Sequence, residues 1–146
     1  MFKRIHPHAR LWIATTIIIG LVIAFKPIAQ ITNVVHPNKG LVVAYYQNDY
    51  QRFAIDELIK RDNLEQYPCL YELWMRESNW RPNSKNKESS AMGIAQLLDT
   101  TWENIGVKPS TNGYKQVLAG LKYLDHRYGK KGVCRAYAHH LAKGWY

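Results

Sequence analysis

At 146 residues the chain has room for one compact domain of ordinary size, and 47% apolar content with ten Tyr and five Trp excludes a disordered or low-complexity polymer. A formal net charge of +9 points toward an anionic or extended polymeric partner: nucleic acid, a lipid surface or an acidic cell-wall polymer. Charge alone does not choose among these.

The excess is unevenly spread. Lys3, Arg4 and Arg10 precede the apolar run from Leu11 to Phe25, whereas from Gly40 onward 15 basic residues face 11 acidic ones, a net of +4. The run admits three readings: an uncleaved anchor, a cleaved signal peptide, or a buried core helix. Basic residues ahead of it favour the first two, because they orient the N-terminus toward the cytoplasm. Lys26 and Pro27 interrupt the region where a small-x-small cleavage site would fall, so an anchor continuing toward residue 31 is expected, with residues 11–31 in a lipid bilayer. The Pro, Gly and Asn of residues 32–40 read as a linker over 32–49, which leaves 50–146 as the folded domain. Leu41 to Tyr46 is a short apolar run open to strand, helix or lead-in.

Helical spacing then dominates. Phe53, Ala54, Ile55, Leu58 and Ile59 make one helix. Pro68 suits a first helical position, and Cys69, Leu70, Leu73 and Trp74 mark one face of a second helix that delivers Glu77 at its end. A polar loop from Asn79 to Ser90 follows, and Thr100-Thr101-Trp102-Glu103 has the form of a capping box. Tyr114, Val117, Leu118, Leu121 and Leu124 predict an amphipathic helix stopped by Gly129. Val133, Cys134, Tyr137, Ala138 and Leu141 predict a last one closed by Gly144. No internal repeat is present.

Glu77 is the residue that carries chemistry. A carboxyl group at the end of an apolar helical stretch acts as a general acid when that wall raises its pKa, as glycosidic bond cleavage requires. Glu72, five residues earlier, belongs to another helical face and reads as exposed. His139 and His140 are adjacent, so on a helix they point about 100° apart, and without further ligands no metal and no cofactor is expected. Cys69 and Cys134 are either bonded, as suits an exported domain, or two small buried hydrophobes.

Four fragments, in this order, resemble the lytic transglycosylases and goose-type lysozymes: Glu77-Ser78-x-Trp80 with Pro82, Gly93-Ile94-x-Gln96, Thr101-Trp102, and the closing Gly144-Trp145-Tyr146. The resemblance covers residues 67–146. It implies a mainly α, lysozyme-like α+β fold with little strand, and cleavage of peptidoglycan glycan strands between N-acetylmuramic acid and N-acetylglucosamine. Carried over, the catalytic acid falls on Glu77, its neighbouring serine on Ser78, and the substrate-binding motif on Gly93, Ile94 and Gln96. In that motif the glycine lets substrate approach the backbone, and the glutamine points into the cleft. Tyr137 matches the tyrosine of an Ala-Tyr-Asn segment, although Ala138 replaces the asparagine and Ser90 stands where the family usually has glycine.

In a transglycosylase the sugar's own C6 hydroxyl closes the reaction, so no second carboxylate is needed. A hydrolase needs one, about 6.5 to 9.5 Å from the acid if inverting and about 5 to 5.5 Å if retaining. Asp99 is the nearest candidate and reads as structural, which favours the non-hydrolytic route over a muramidase. A catalytically silent glycan-binding protein is the other class. Nucleic acid is not expected, since the basic residues form no stripe with interleaved aromatics. The single small module suits a part of a larger envelope or virion assembly.

Overall fold

The computed structural model describes residues 30–36 and 40–146; the apolar run from Leu11 to Phe25 lies outside them. Among the described residues, no helix is long and apolar enough to cross a membrane. Two strands, β1 (Gln30–His36) and β2 (Gly40–Tyr46), pair antiparallel with Gln30 opposite Tyr46 and His36 opposite Gly40. The segment read as a linker therefore carries a hairpin, and β1 begins at residue 30, inside the stretch assigned to the anchor. The physical reason is composition. Only His36-Pro37-Asn38-Lys39-Gly40 bears turn chemistry, while Val34-Val35 and Leu41 to Tyr46 are rich in the β-branched and aromatic types that favour strands.

Five helices follow. Asn48 caps α1 (Asp49–Lys60), its side chain accepting from the Gln51 N–H at 3.0 Å, and Ala54, Ile55 and Leu58 face inward. A 3-10 turn over Leu64–Gln66 feeds α2 (Tyr67–Ser78), with Pro68 in its first turn. Asn79 and Trp80 both take left-handed backbone, φ 55° and 58°, which ends α2 sharply and folds Trp80 back against Trp74 with ring centroids 5.0 Å apart. The Trp80 indole N–H donates to the Tyr71 carbonyl at 3.2 Å and fixes that reversal. Glu77 is thereby held on the last turn of a helix whose other face is sealed.

The short helix α3 (Asp99–Asn104) starts one residue before the predicted capping box, and no side chain caps it. Thr100 lies inside its first turn rather than at its cap. The Asp99 N–H instead donates to Ser90 Oγ at 3.1 Å, so the loop supplies the acceptor that the box would have supplied locally. Next come α4 (Gly113–Tyr128), ending at Gly129, and α5 (Val133–Lys143), ending at Gly144, both glycines at φ 80°. Their inward faces are narrower than the apolar patterns suggest. Tyr114 and Leu118 on α4 and Ala138 and Leu141 on α5 point outward, while Val117, Leu121, Leu124, Val133 and Ala136 are buried.

Trp74, Trp80 and Trp102 are fully buried with Leu58, Leu70, Leu73 and Ile94 around them. Close approach is achieved at Gly120, where an added Cβ would lie 2.6 Å from the Trp74 ring. Cys69 and Cys134 are joined by a disulfide, Cα atoms 5.0 Å apart, which ties α2 to α5 across 65 positions of sequence. Closing a loop of that length restricts the unfolded chain by about 4 kcal/mol in the chain-entropy view. The domain is small and mainly helical, with its only described sheet at the N-terminal side.

Candidate active site

Glu77 opens onto a cavity of about 460 Å³. Its floor and one wall come from the loop and the start of α3, through Asn86, Ala91, Ala95, Gln96, Leu98 and Thr101; the opposite wall is Tyr123 and Arg127 of α4 with Trp145 and Tyr146. A smaller recess continues past Tyr123 and Arg127 to Asn104 and His126, so the opening is elongated rather than round. Among the described residues Glu77 is the sole carboxylate lining this cavity. Asp99 is exposed and borders a separate depression with Glu103 and Lys108.

Behind the cavity the loop is braced by side-chain amides. Ser78 Oγ donates to the Ile94 carbonyl at 2.7 Å, tying the end of α2 to the loop. The Ile94 N–H donates to Gln116 Oε1 at 2.9 Å, and Gln116 Nε2 donates to the carbonyls of Pro82 and Ser110 at 3.0 and 2.9 Å. Gln96 Nε2 donates to the carbonyls of Gly93 and Ser84 at 2.8 and 3.3 Å. Every polar end of the buried Gln116 side chain is thus used, as burial of an amide requires.

The C-terminal segment builds the other wall. The Tyr146 hydroxyl donates to the Ala95 carbonyl at 2.7 Å and accepts from the Trp74 indole N–H at 3.1 Å, and the Tyr123 hydroxyl donates to the Tyr146 backbone oxygen at 2.7 Å. Burial, and then the charge of Glu77, raise the Tyr146 phenol well above its ordinary range, so it stays a hydroxyl. Trp145 is half-exposed, with the Arg127 guanidinium over its ring at 4.9 Å and His139 edge-on at 4.4 Å.

Burial pushes the Glu77 carboxyl up from 4.5 to about 7. Its ion-pair partner is on α5: His140 Nδ1 lies 3.0 Å from Glu77 Oε1, both side chains being largely shielded. His140 is pushed the other way, below its ordinary value, by burial first and then by the charge of Arg76. A carboxyl that keeps its proton near neutrality, in a cleft with aromatic walls and no second acid, has the properties of a general acid for a glycosidic oxygen.

The transglycosylase SLT domain model matches residues 53–140. The chain belongs to this family. No curated protein and no solved structure matches it. Membership makes the domain one of the peptidoglycan-cleaving transglycosylases, with peptidoglycan as substrate. The match begins within α1, well before residue 67, and it ends at His140, so the Gly144-Trp145-Tyr146 segment that walls the cavity lies beyond it.

Within this SLT domain the residues singled out from sequence separate into two groups. Glu77 and Gln96 line the cavity. Ser78 and Ile94 are buried behind it, and Gly93, at φ 79°, is pressed against Gln116 so closely that a Cβ would meet its side chain at 2.4 Å. An internal amide thus requires the glycine. Tyr137 is half-buried under the Arg76 guanidinium, 5.9 Å away, and does not border the cavity; Tyr123 and Tyr146 are the tyrosines that do. His139 and His140 diverge as expected for neighbours on a helix, one to Trp145 and the other to Glu77. Sequence reasoning missed Tyr123 and Arg127, and weighed His140 only as a metal ligand. A helical projection of α4 places Tyr123 and Arg127 four apart on one face, the one local signal that was available.

Proposed function

We propose that the domain is a lytic transglycosylase that cleaves the β-1,4 bond between N-acetylmuramic acid and N-acetylglucosamine and leaves a 1,6-anhydro end, with Glu77 as acid and then base. The observation that carries this reading is that Glu77, the one side-chain carboxyl lining the cavity among the described residues, also holds its proton up to about pH 7. Protonated Glu77 gives its proton to the glycosidic oxygen as the bond from that oxygen to C1 of the muramic sugar breaks, and N-acetylglucosamine leaves with a free 4-hydroxyl. The C6 hydroxyl oxygen then bonds to C1, and the Glu77 carboxylate takes its proton. The enzyme returns to its starting protonation without water entering the balance. A muramidase would need a second carboxylate in reach to activate water or to form a covalent intermediate. Gln96, held by its amide against the loop, and the half-exposed Trp145 are the surfaces against which the glycan rests in this reading.

The working unit is residues 50–146, and its place is the extracytoplasmic side of a membrane, with the apolar run from Leu11 in the bilayer. That part of the reading rests on the basic residues before the run. Its role in this reading is local wall opening, as part of an envelope or virion assembly.

Digestion of purified peptidoglycan followed by mass spectrometry tests the chemistry. Glu77→Gln is expected to lower muropeptide release by about 10²- to 10⁴-fold, the range of a lost general acid. Unchanged release by that variant would leave the domain a glycan binder. Products from the wild type are expected one water lighter than the corresponding reducing ends; reducing ends would make it a hydrolase instead.

A further inference from the structure

His140 has no part in the reaction just described, yet it lies at ion-pair distance from Glu77. Its Nδ1 lies 3.0 Å from Glu77 Oε1 at ion-pair distance, without the alignment of a full hydrogen bond, and it has no other hydrogen-bond partner. Catalytic contacts of this kind commonly tighten only when substrate is bound. We propose that His140 is the positioning residue of Glu77: it holds one carboxyl oxygen so that the other faces the cavity, and the two side chains exchange protons as one unit. The inference rests on Glu77 being the acid.

The geometry decides where a shared proton sits. On Glu77 it leaves two neutral groups; on His140 it creates an ion pair in a shielded place. Burial opposes both charges, and Arg76, next to Glu77 on α2, adds its own charge against an imidazolium. The other groups around the pair are Tyr146, with its ring 6.4 Å from His140, and Tyr123 and Arg127 on α4; His139, on the same helix as His140, turns away to Trp145. Both tyrosines are raised by burial and stay neutral, so neither supplies a negative charge that would draw a proton onto His140. The favoured arrangement is protonated Glu77 beside neutral His140, with Nδ1–H turned to Glu77 Oε1 and the carboxyl proton on the oxygen that faces the cavity. That is the form the first half of the reaction needs.

The second half depends on the same neighbour. Once Glu77 has given up its proton, its carboxylate must act as a base, and an imidazolium 3.0 Å away would weaken it. Charging of His140 at low pH therefore sets an acid limb on the rate, while loss of the Glu77 proton sets the alkaline limb. With the two groups 3.0 Å apart, both limbs belong to the pair in this proposal.

The test compares full-length wild type with His140→Gln and His140→Phe, following rate against pH. Glutamine keeps an N–H donor without titrating, so His140→Gln is expected to hold kcat within a few fold at the wild-type optimum while its acid limb disappears. Phenylalanine keeps neither, and kcat is expected to fall about 10- to 100-fold with KM little changed, as for a displaced catalytic group. Should His140→Phe retain wild-type kcat and both variants keep the wild-type acid limb, the inference is wrong even if Glu77→Gln is inactive. Activity in Glu77→Gln would instead overturn the reading beneath it. A second measurement needs no turnover. In wild type the His140 imidazole is expected to follow two steps by NMR, one shared with the Glu77 carboxyl carbon, and in Glu77→Gln only one. Identical single-step curves in the two proteins would equally dispose of the coupling.

Discussion

The two sides of the cavity are built on different terms. Behind Glu77, Ser78, Ile94, Gly93 and Gln116 form a closed set in which each buried polar group has a partner inside the protein. Opposite, Arg127 and Trp145 present a guanidinium and a ring to the cavity, while Tyr146 is pinned to Ala95 and Trp74 and Tyr123 is bonded to the Tyr146 backbone. The first side tolerates little change because its geometry is shared among many atoms. The second includes Trp145, half-exposed and held by ring contacts rather than by hydrogen bonds. Internal bracing and cavity-facing aromatic surface are thus separated across one cleft, and Glu77 stands where the two meet.

Three experiments would break or sharpen this contrast. The largest effect is expected on the inner side: Gly93→Ala forces a Cβ into the Gln116 amide and an L-residue into φ 79°, which should cost about 2–4 kcal/mol in denaturant unfolding. A loss within about 0.5 kcal/mol, the level of an ordinary surface change, would show that the brace yields easily. On the outer side, Trp145→Ala should leave the midpoint of unfolding nearly unchanged and slow glycan cleavage roughly tenfold, equivalent to about 1.4 kcal/mol of transition-state contact. Equal cleavage rates would remove Trp145 from the substrate surface.

The smallest effect is at the boundary. The folded-state pKa of Glu77, about 7, lies above its ordinary 4.5, so its contribution to stability is complete below the lower value and lost as pH rises through the higher one. Glu77→Gln carries no such dependence. It should gain on the wild type by on the order of 1 kcal/mol at alkaline pH, after allowance for partial solvent screening, and show no gain in acid. Parallel thermal denaturation curves across pH would contradict the raised carboxyl.

What was legible in the sequence follows from range. Pro68 at the start of α2, Gly129 after α4 and Gly144 after α5 are local punctuation, and each helix begins or ends as those residues dictate. The acid itself was legible because Glu77-Ser78-x-Trp80 keeps its spacing on one helix end. The pairing of Glu77 with His140 spans 63 positions, and nothing near either residue announces it. Gly93 and Gln96 were recognisable as a motif, yet their partners, Gln116 and Ser84, come from other turns of the chain, so the reason for the glycine could not be read locally. The hairpin was obscured because turn residues at 36–40 were extended over flanking segments of strand composition.

The bond between Cys69 and Cys134 has a mechanical consequence for the acid and its neighbour. Glu77 lies eight residues beyond one cysteine and His140 six beyond the other, so about 12 Å of α2 and about 9 Å of α5 act as two stiff levers from a single covalent pivot. A small rotation at the pivot would swing both tips, and the separation of the two side chains is set from a point well outside the cavity. Chains prepared under reducing conditions lack that pivot and rely on packing alone to keep the tips in register.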